Sequence, residues 1–350
     1  MKRFVPQNVK RIYKQSLYIL SVIVLAMSTA ASAFASETFS NYSISSSYTS
    51  PKAITVAGGS LWYGEFHSGA FDSIGNMTTS GVITDYNLGY PSGQTSFTIN
   101  SLATGSDGNV WFNGRSGTSV YTGSLSISTG AVTFQPSSVV SSSSAPGSLT
   151  TGSDGNLWYY VKTAGSPSYT YLLRLNPSTG AETTMHTFTD TYASFTSLAS
   201  GPDGNLWLTD SYNKRVLGID VATGANLASY TMPTLGSVPG DITDGPDGNL
   251  WLIENGKIAK MTTGGVFTEY TVAAGVVPGT LTAGSDGAMW FIDYGTTPKI
   301  GRITSTGNVS EYTVPGSSVS GVGSLTLGPD GALWFTYRDG SPYYLGRIGY

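Results

Sequence analysis

The sequence predicts an all-β fold, a seven-bladed β-propeller built from four-stranded antiparallel blades. The main observation is an octet, GPDGNLWL at 201–208, which recurs in near-copies about every 45 residues. A period of this length that fills a chain is typical of propellers, with one repeat for each blade. The composition agrees, because 45 of the 350 residues are Gly and only 11% are charged, which favours short strands joined by tight turns.

Every tryptophan of the chain ends a copy of this octet. Six copies read G-[SP]-D-G-[NA]-[LMV]-W, and the seventh, VAGGSLW, is degenerate and lacks the Asp. The blade tryptophans are Trp62, Trp111, Trp158, Trp207, Trp251, Trp290 and Trp334. Residues that carry chemistry are not expected in nearly every repeat, so we interpret the octet as scaffold. Its Asp-Gly pair is predicted to form a hairpin turn, and its Trp to pack between adjacent blades.

Four strands can be read in each repeat. In the fifth repeat they are GDIT at 240–243, the segment through the octet Trp, KIAKM at 257–261 and VFTEYTV at 266–272. The last repeat ends after its third strand, YLGRIGY. The segment TFSNYSI at 38–44 resembles a fourth strand, so we predict that this N-terminal strand closes the ring and covers its open edge.

Residues 1–35 have the features of a signal peptide. A basic stretch precedes an apolar run at 17–27, and small residues with an A-x-A site end at Ala35. The apolar run has 11 residues, whereas a bilayer-spanning helix needs roughly 20. We therefore expect an exported protein, secreted, periplasmic or at the cell surface. The propeller would occupy 36–350, with no stable membrane span after cleavage.

Charge and cysteine content limit the partners. The first 35 residues carry five of the 17 Lys and Arg and none of the 21 Asp and Glu. The mature chain would therefore have 12 basic and 21 acidic side chains, a net charge of −9, which argues against nucleic acid as a partner. The absence of Cys excludes disulfides and thiolate metal sites. We expect a monomer that binds an extracellular protein, a glycan or a small molecule.

The repeat resembles the virginiamycin B lyase, or streptogramin lyase, family. The resemblance is carried by P-x-x-[IL]-T-x-G-[SP]-D-G-x-[LM]-W-F, then K-I-G-R-I-T and E-Y-x-[VLI]-P, matched best over 239–272 and 278–315. It covers the whole predicted propeller. It implies enzymes that open cyclic depsipeptide antibiotics by elimination, with a magnesium ion, a histidine base and glutamates at the mouth of the ring.

The positions that match those catalytic groups hold other residues in this chain. The positions matched to the family histidines are Lys52, Asn100, Gly147, Thr196, Gly240, Gly279 and Gly323. The positions matched to one glutamate are Ser50, Thr98, Ala145, Ser194, Val238, Val277 and Gly321. Those matched to the other are Phe66, Arg115, Lys162, Ser211, Asn255, Tyr294 and Arg338. With neither a base nor carboxylates at these positions, we predict a non-catalytic binding module that requires no cofactor.

A separate hypothesis places a ligand or metal site on one face of the ring. Acids stand three residues after four blade tryptophans, at Glu65, Asp210, Glu254 and Asp293. His67, Lys52 and Arg338 would share their face, because the loops before the first strand and after the second lie at the same end of a blade. Four carboxylates at one mouth suit a cation or a cationic ligand. The alternative is structural pairing of the acids with third-strand bases such as Lys214, Lys260 and Arg302.

Two other functions stay open. The first is a lyase or lactonase-like enzyme acting on a cyclic ester or depsipeptide, with Mg²⁺ bound by the four acids and His67. It requires a tightly bound divalent ion. The second is a structural or adhesive surface protein, which would co-purify with envelope or matrix.

Overall fold

The computed structural model of the chain describes residues 37–44, 51, 53–65, 72–139, 143–164, 166–316, 318–340 and 343–350. These residues form thirty strands and no helix, arranged in seven antiparallel sheets. Residues Thr38–Gly349 form one compact unit. The other unit, residues 1–37 with Tyr350, contains the predicted signal peptide, which lies outside the described residues. In the described part of the chain, no helix is long and apolar enough to cross a membrane.

The seven sheets are the blades of a propeller, as the repeat predicted. Five blades consist of four consecutive strands, which follow one another from the inner to the outer edge of the sheet. Blade 1 has Ile54–Ala57, Ser60–Glu65, Ser73–Met77 and Ile83–Asn87. Blade 2 has Thr98–Thr104, Val110–Ser116, Ser119–Leu125 and Val132–Pro136. Blade 4 has Phe195–Ser200, Leu206–Asp210, Arg215–Ile219 and Asn226–Thr231. Blade 5 has Ile242–Asp244, Leu250–Glu254, Lys257–Met261 and Phe267–Thr271. Blade 6 has Pro278–Ala283, Met289–Asp293, Lys299–Ile303 and Val309–Thr313.

The other two blades have an inner strand that is broken into two pieces. Blade 3 has Ser143–Pro146 with Thr150–Thr151, then Leu157–Thr163, Thr170–Leu175 and Glu182–Phe188. Blade 7 has Val319–Ser320 with Leu325–Leu327, then Leu333–Asp339, Tyr343–Gly349 and, as its outer strand, Thr38–Ser43. In both blades the two inner pieces pair with the same second strand.

The N-terminal strand closes the ring, which confirms the prediction. It pairs antiparallel with the last strand of the chain, from Thr38 opposite Gly349 to Ser43 opposite Tyr344. The ring of Tyr42 stacks on Trp334 with a centroid separation of 5.4 Å. The N-terminal strand therefore supplies both backbone pairing and an aromatic contact to blade 7.

The octet is a turn fastened by its own side chains. In all six complete copies the indole Nε1–H donates to the octet Asp, for example from Trp207 to Asp203 Oδ1 at 3.0 Å. Gly204 lies in the left-handed region at φ 79°, which a non-glycine residue adopts at a cost. In the degenerate copy, Trp62 donates instead to the carbonyl of Ala57 at 3.0 Å. A backbone acceptor thus takes the place of the missing Asp.

Six of the blade tryptophans share a buried cluster with residues of the next blade, as predicted. Trp207 lies in one buried cluster with Ile242 and Leu250 of blade 5, and Trp334 lies with Leu61 of blade 1. Burial of such large apolar side chains is the main stabilising contribution to a fold of this kind. The octet is therefore scaffold, and differences between the repeats have to account for function.

Candidate binding site at the channel mouth

A channel runs along the axis of the ring. Its cavity has a volume of about 550 Å³ and is lined by inner-strand residues from all seven blades. Most lining side chains are hydroxyls or small apolar groups, and the charged residues among them are Asp241 and Asp244 of blade 5. The cavity is within the size range of small-molecule sites, and its lining is polar and acidic.

One end of the channel lies on what we call the connection face. This face carries the links between successive blades, such as 189–194 and 272–277, and the turns after the second strands, such as 211–214 and 294–298. The octet turns lie on the opposite face. Because Asp241 precedes the inner strand Ile242–Asp244, it stands at the connection-face end of the channel.

Asp241 is tied to both neighbouring blades. Its Oδ1 accepts a hydrogen bond from Ser197 Oγ of blade 4 at 2.8 Å, and its Oδ2 accepts one from the backbone N–H of Leu281 in blade 6 at 2.9 Å. Desolvation raises the pKa of Asp241, and these hydrogen bonds oppose the rise. The carboxyl group is therefore fixed in position at the mouth of the channel.

Tyr294 lies at the same mouth, in the turn after the second strand of blade 6. Its hydroxyl donates to the carbonyl of Gly323 in blade 7 at 3.4 Å. Burial raises the pKa of Tyr294, a hydrogen bond with Thr280 opposes the rise, and the charge of Asp241 adds to it. The phenol therefore stays protonated at neutral pH, with Asp241 and Thr280 as close neighbours.

The ring of Tyr294 fills the space of a missing side chain. A Cβ atom added at Gly279 would lie 2.1 Å from Tyr294 Cε2, which is closer than any real contact. Gly147 in blade 3 is similar, because a Cβ there would lie 2.0 Å from Cζ of Tyr160. Gly240 differs, since its nearest contact would be Ile253 Cβ at an ordinary 3.6 Å. Two of the positions matched to family histidines thus have tyrosine rings where their side chains would be.

The four predicted acids occupy equivalent places but do not form one cluster. Glu65, Asp210, Glu254 and Asp293 each end the second strand of their blade, and all are at most 2% exposed. Their hydrogen-bond donors come from their own blades. Asp293 Oδ1, for example, accepts from the backbone N–H groups of Val277 at 2.7 Å and Gly295 at 2.9 Å. Asp210, Glu254 and Asp293 therefore fasten the link that enters their blade, and Glu65 binds the start of the third strand of blade 1.

Asp210 is the most fully paired of the four. It accepts from the backbone N–H of Ser194 at 3.1 Å, from Asn213 Nδ2 at 2.7 Å and from Arg215 Nε at 3.0 Å. This arrangement matches the predicted structural pairing, except that the partner is Arg215 and not Lys214. Arg215 lies directly opposite Asp210 in the strand register, which explains the difference.

The predicted pairing of the acids with Lys260 and Arg302 is wrong. These two bases lie opposite Trp251 and Trp290, and their charged groups lie 5.6 and 5.9 Å from the indole rings. From there they reach the octet aspartates and not the strand-end acids. Lys260 pairs with Asp247 at 3.4 Å, and Arg302 Nε donates to Asp286 at 2.6 Å.

Glu65 and Glu254 are buried carboxyl groups with incomplete pairing. Glu65 Oε2 accepts from Ser73 Oγ at 2.7 Å and Glu254 Oε2 accepts from Ser237 Oγ at 2.5 Å, while neither Oε1 has a hydrogen-bond partner among the described residues. Burial raises the pKa of Glu65 to about 7 against the Ser73 hydrogen bond, with a contribution from Asp85. Burial also raises the pKa of Glu254. Both groups favour the protonated form more than an exposed carboxyl does.

Of the other predicted site residues, Arg338 is the one that the structure describes. Arg338 is exposed, with its guanidinium 5.6 Å from the ring of Tyr343 and its Nε donating to the carbonyl of Gly340 at 2.6 Å. Lys52 and His67 lie outside the described residues. His186, the other histidine, lies in the outer strand of blade 3 beside Phe188.

The described residues do not fit the magnesium ion that the family resemblance implies. Magnesium needs several oxygen ligands that converge on one point. Among the described residues there is no group of three or more His, Asp or Glu side chains able to hold a metal. Asp210 and Asp293 are engaged by donors of their own blades, as described above.

Asp241 is a candidate residue that the sequence analysis missed, although it stands ten residues before Trp251. The corresponding positions in the other repeats hold Ala or hydroxyl residues: Ala53, Ser101, Ser148, Ser197, Thr280 and Ser324. One acid in a ring of small residues is a detectable signal, because six of these seven positions lie ten residues before their blade tryptophan and Ala53 lies nine before Trp62. Tyr294 gives no such signal, because its role depends on the absence of a side chain at Gly279.

The fold and the channel together define a seven-bladed β-propeller with an acidic, hydroxyl-lined axial cavity. A family model described as the Virginiamycin B lyase family matches residues 132–349, which is more than half of the chain. The chain therefore belongs to the virginiamycin B lyase family, as the resemblance of the repeat indicated. No curated protein matches the sequence.

Solved structures agree with this assignment. A streptogramin B lyase is 25% identical, with a TM-score of 0.72 over 89% of this chain and 97% of its own. A catalytically inactive histidine-to-alanine variant of virginiamycin B lyase from Staphylococcus aureus, solved with quinupristin, is 25% identical, with a TM-score of 0.73 over 90% and 99% of the two chains. A putative 6-phosphogluconolactonase from Bacteroides uniformis is 14% identical, with a TM-score of 0.56 over 76% and 86%, and shares the fold alone.

Proposed function

We propose that this chain is an exported, non-catalytic binding protein that holds a small ligand at the connection-face mouth of its channel. The observation that carries the proposal is the contact between Tyr294 and Gly279. At a position where the family resemblance implies a histidine base, this chain has a glycine covered by a tyrosine ring. An aromatic surface with a neutral hydroxyl suits binding better than proton abstraction.

The lining of the channel indicates the chemistry of the ligand. Asp241 is fixed at the mouth, Asp244 lies further along the same strand, and no basic side chain lines the cavity among the described residues. A ligand with a basic group would be favoured by these charges, and Tyr294 offers its ring to an apolar part of the ligand. We therefore expect an amphipathic small molecule or cyclic peptide with a positive charge.

Quinupristin, the compound present with the inactive S. aureus enzyme, is a suitable probe of both binding and turnover. Ring opening by elimination gives an isomer of unchanged mass, so the product has to be followed by chromatographic retention. We expect no ring-opened product with or without Mg²⁺, and a rise in melting temperature with quinupristin. Ring opening that depends on Mg²⁺ would contradict a non-catalytic role. Unchanged melting would contradict binding of this ligand class.

A matched pair of variants tests the place of binding. Gly279→Ala displaces the Tyr294 ring, whereas Gly240→Ala makes the same change at the equivalent position of blade 5 without a clash. We expect the first variant to lose most of the quinupristin-dependent stabilisation and the second to keep it. Equal responses of the two variants would argue that the ligand does not bind beside Tyr294.

The proposed export rests on residues 1–35. Expression of the full chain in a bacterial host, followed by N-terminal sequencing of the product, tests it. A mature protein that begins at Ser36 supports the proposal. A product that keeps residues 1–35 in the cytosol would contradict it.

A lyase or lactonase is the second candidate, and Glu65 is the residue that favours it. A buried carboxyl group with a pKa of about 7 can accept and release a proton near neutral pH. If the protein opens cyclic esters with this group, Glu65→Gln should abolish turnover in the chromatographic assay and leave ligand binding intact.

A further inference from the structure

Two tyrosines of blade 4 form an exposed, stacked pair on the connection face. Tyr192 lies in the link that enters the blade, and Tyr212 lies in the turn after its second strand. Their ring centroids are 5.3 Å apart with an interplanar angle of 15°, and the residues are 66% and 58% exposed. Although stacking covers part of one face of each ring, more than half of each residue remains exposed to solvent.

The pair is held in place by buried and half-buried polar groups. Asp210, which is fully buried, binds the backbone N–H of Ser194 on one loop and the side chain of Asn213 on the other. Asp190 makes a second connection between the same two loops. Its Oδ1 accepts a hydrogen bond from the backbone N–H of Tyr192 at 3.1 Å, and its Oδ2 accepts one from Asn213 Nδ2 at 2.8 Å. Asp190 and Asp210 thus both fasten the first loop to Asn213 of the second loop.

The backbone of the second loop is also unusual. Lys214 has a φ of 55°, in the left-handed region that non-glycine residues seldom adopt. Its carbonyl accepts a hydrogen bond from the backbone N–H of Met232, which holds this conformation. A strained turn that presents an exposed aromatic ring is more typical of a binding site than of a simple connection.

We propose that Tyr192 and Tyr212 form a saccharide-binding platform. A pyranose ring has a flat face of C–H groups and a rim of hydroxyls, so it matches an exposed aromatic ring bordered by hydrogen-bonding side chains. Asp190 is such an acceptor, with 39% of its side chain exposed, and Arg215, 28% exposed, supplies donors. A wholly apolar ligand would remove these charged groups from water without compensation. Because the tyrosines are already ordered, binding costs little side-chain entropy.

The test uses an array of hexose and N-acetylhexosamine oligosaccharides probed with the chain from Ser36 to Tyr350. We expect the wild-type protein to bind a subset, and the double variant Tyr192→Ala, Tyr212→Ala to lose about tenfold or more in affinity for it. Tyr192→Phe with Tyr212→Phe keeps both rings and should bind within about threefold of wild type. Tyr90→Ala, at another exposed tyrosine, is the control and should bind normally.

Three outcomes would overturn the proposal. The first is an array without any bound saccharide. The second is saccharide binding that survives both alanine substitutions while the variant keeps its circular dichroism spectrum. The third is saccharide binding that is lost in Gly279→Ala but not in the double tyrosine variant, which would assign the sugar to the channel mouth. Since quinupristin binding is measured separately, failure of this proposal and failure of the proposed function can be told apart.

Discussion

Trp334 and Asp330 are joined by a hydrogen bond from the indole Nε1 to Oδ1 at 3.0 Å, while Arg347 Nε donates to Oδ2 of the same carboxylate at 2.7 Å. Asp330→Ala removes both bonds, together with a weaker one from the backbone N–H of Ala332 at 3.3 Å, and leaves a buried indole N–H without an acceptor. We expect it to lower the free energy of unfolding by about 2 kcal/mol, measured by urea denaturation. Asp330→Asn keeps an acceptor for Trp334 and should recover about half of the loss. Equal losses in the two variants would contradict a role for the indole bond.

The same carboxylate gives a prediction for acid stability. Although burial is the largest contribution and raises the pKa of Asp330, hydrogen bonds from Trp334, Arg347 and the backbone of Ala332 outweigh it and lower the pKa below 3.8. A lowered folded-state pKa contributes stability that is present above the unfolded value and is lost as the pH falls through the folded value. Wild type should therefore lose stability below about pH 4 more steeply than Asp330→Asn. Parallel curves from urea denaturation between about pH 2 and 7 would contradict this.

Glu65 gives a pH dependence of the opposite sign. Burial raises its folded-state pKa from 4.5 to about 7, so folding disfavours the charged form. Its contribution to stability is complete below pH 4.5 and is lost as the pH rises through about 7. We expect Glu65→Gln to be more stable than wild type at pH 8 but not at pH 4, by thermal melting. A constant difference between the two proteins would show that Glu65 does not titrate in this range.

Gly301 in the third strand of blade 6 is predicted to tolerate no side chain. An added Cβ would lie 2.1 Å from Cζ of Phe291, whose ring is completely buried. We expect Gly301→Ala to lower the free energy of unfolding by about 2 kcal/mol through overpacking. Gly264→Ala is the control, because its closest contact would be an ordinary 3.7 Å to Thr262 Oγ1. Chemical denaturation of both variants measures the difference.

Removal of the N-terminal strand should open the ring. A chain that begins at residue 45 loses the strand Thr38–Ser43 and the stacking of Tyr42 on Trp334, and it exposes an unpaired edge of blade 7. We expect it to lose about 5 kcal/mol of stability and to aggregate, whereas a chain that begins at Glu37 behaves normally. Size-exclusion chromatography and melting temperatures compare the two. A stable monomer without this strand would contradict its closing role.

The fold could be predicted because its determinants recur. Each octet contains the turn and the tryptophan that packs against the next blade, so the sequence repeats one structural unit. The closing strand was predictable for the same reason, since 38–44 supplies the outer strand that the last repeat lacks. The broken inner strands of blades 3 and 7 were not anticipated. The inner strands of blades 2, 4 and 6 also have register shifts near their start, and the apolar pattern of the repeats does not show where such a shift becomes a break.

The candidate site was predicted only in part. Glu65, Asp210, Glu254 and Asp293 do lie at equivalent strand ends, as their spacing from tryptophan indicated. Their partners could not be predicted, because strand register and the length of each side chain decide which base reaches which acid.

The stacked tyrosine pair of blade 4 could not be predicted from the sequence, for a different reason. Tyr192 and Tyr212 lie in two loops separated by a complete hairpin of inner and second strands. Only the antiparallel pairing of Phe195–Ser200 with Leu206–Asp210 returns the chain to the same face and brings the two rings together.

The antiparallel closure of the ring also determines how this protein responds to mechanical force. Because Thr38 lies opposite Gly349, tension applied at these two residues acts on one end of the strand pair. The backbone hydrogen bonds then separate one pair at a time, as in unzipping, and do not share the load as they would in shear. Blade 7 is therefore the part of the ring that yields first under tension, before force reaches the other six sheets.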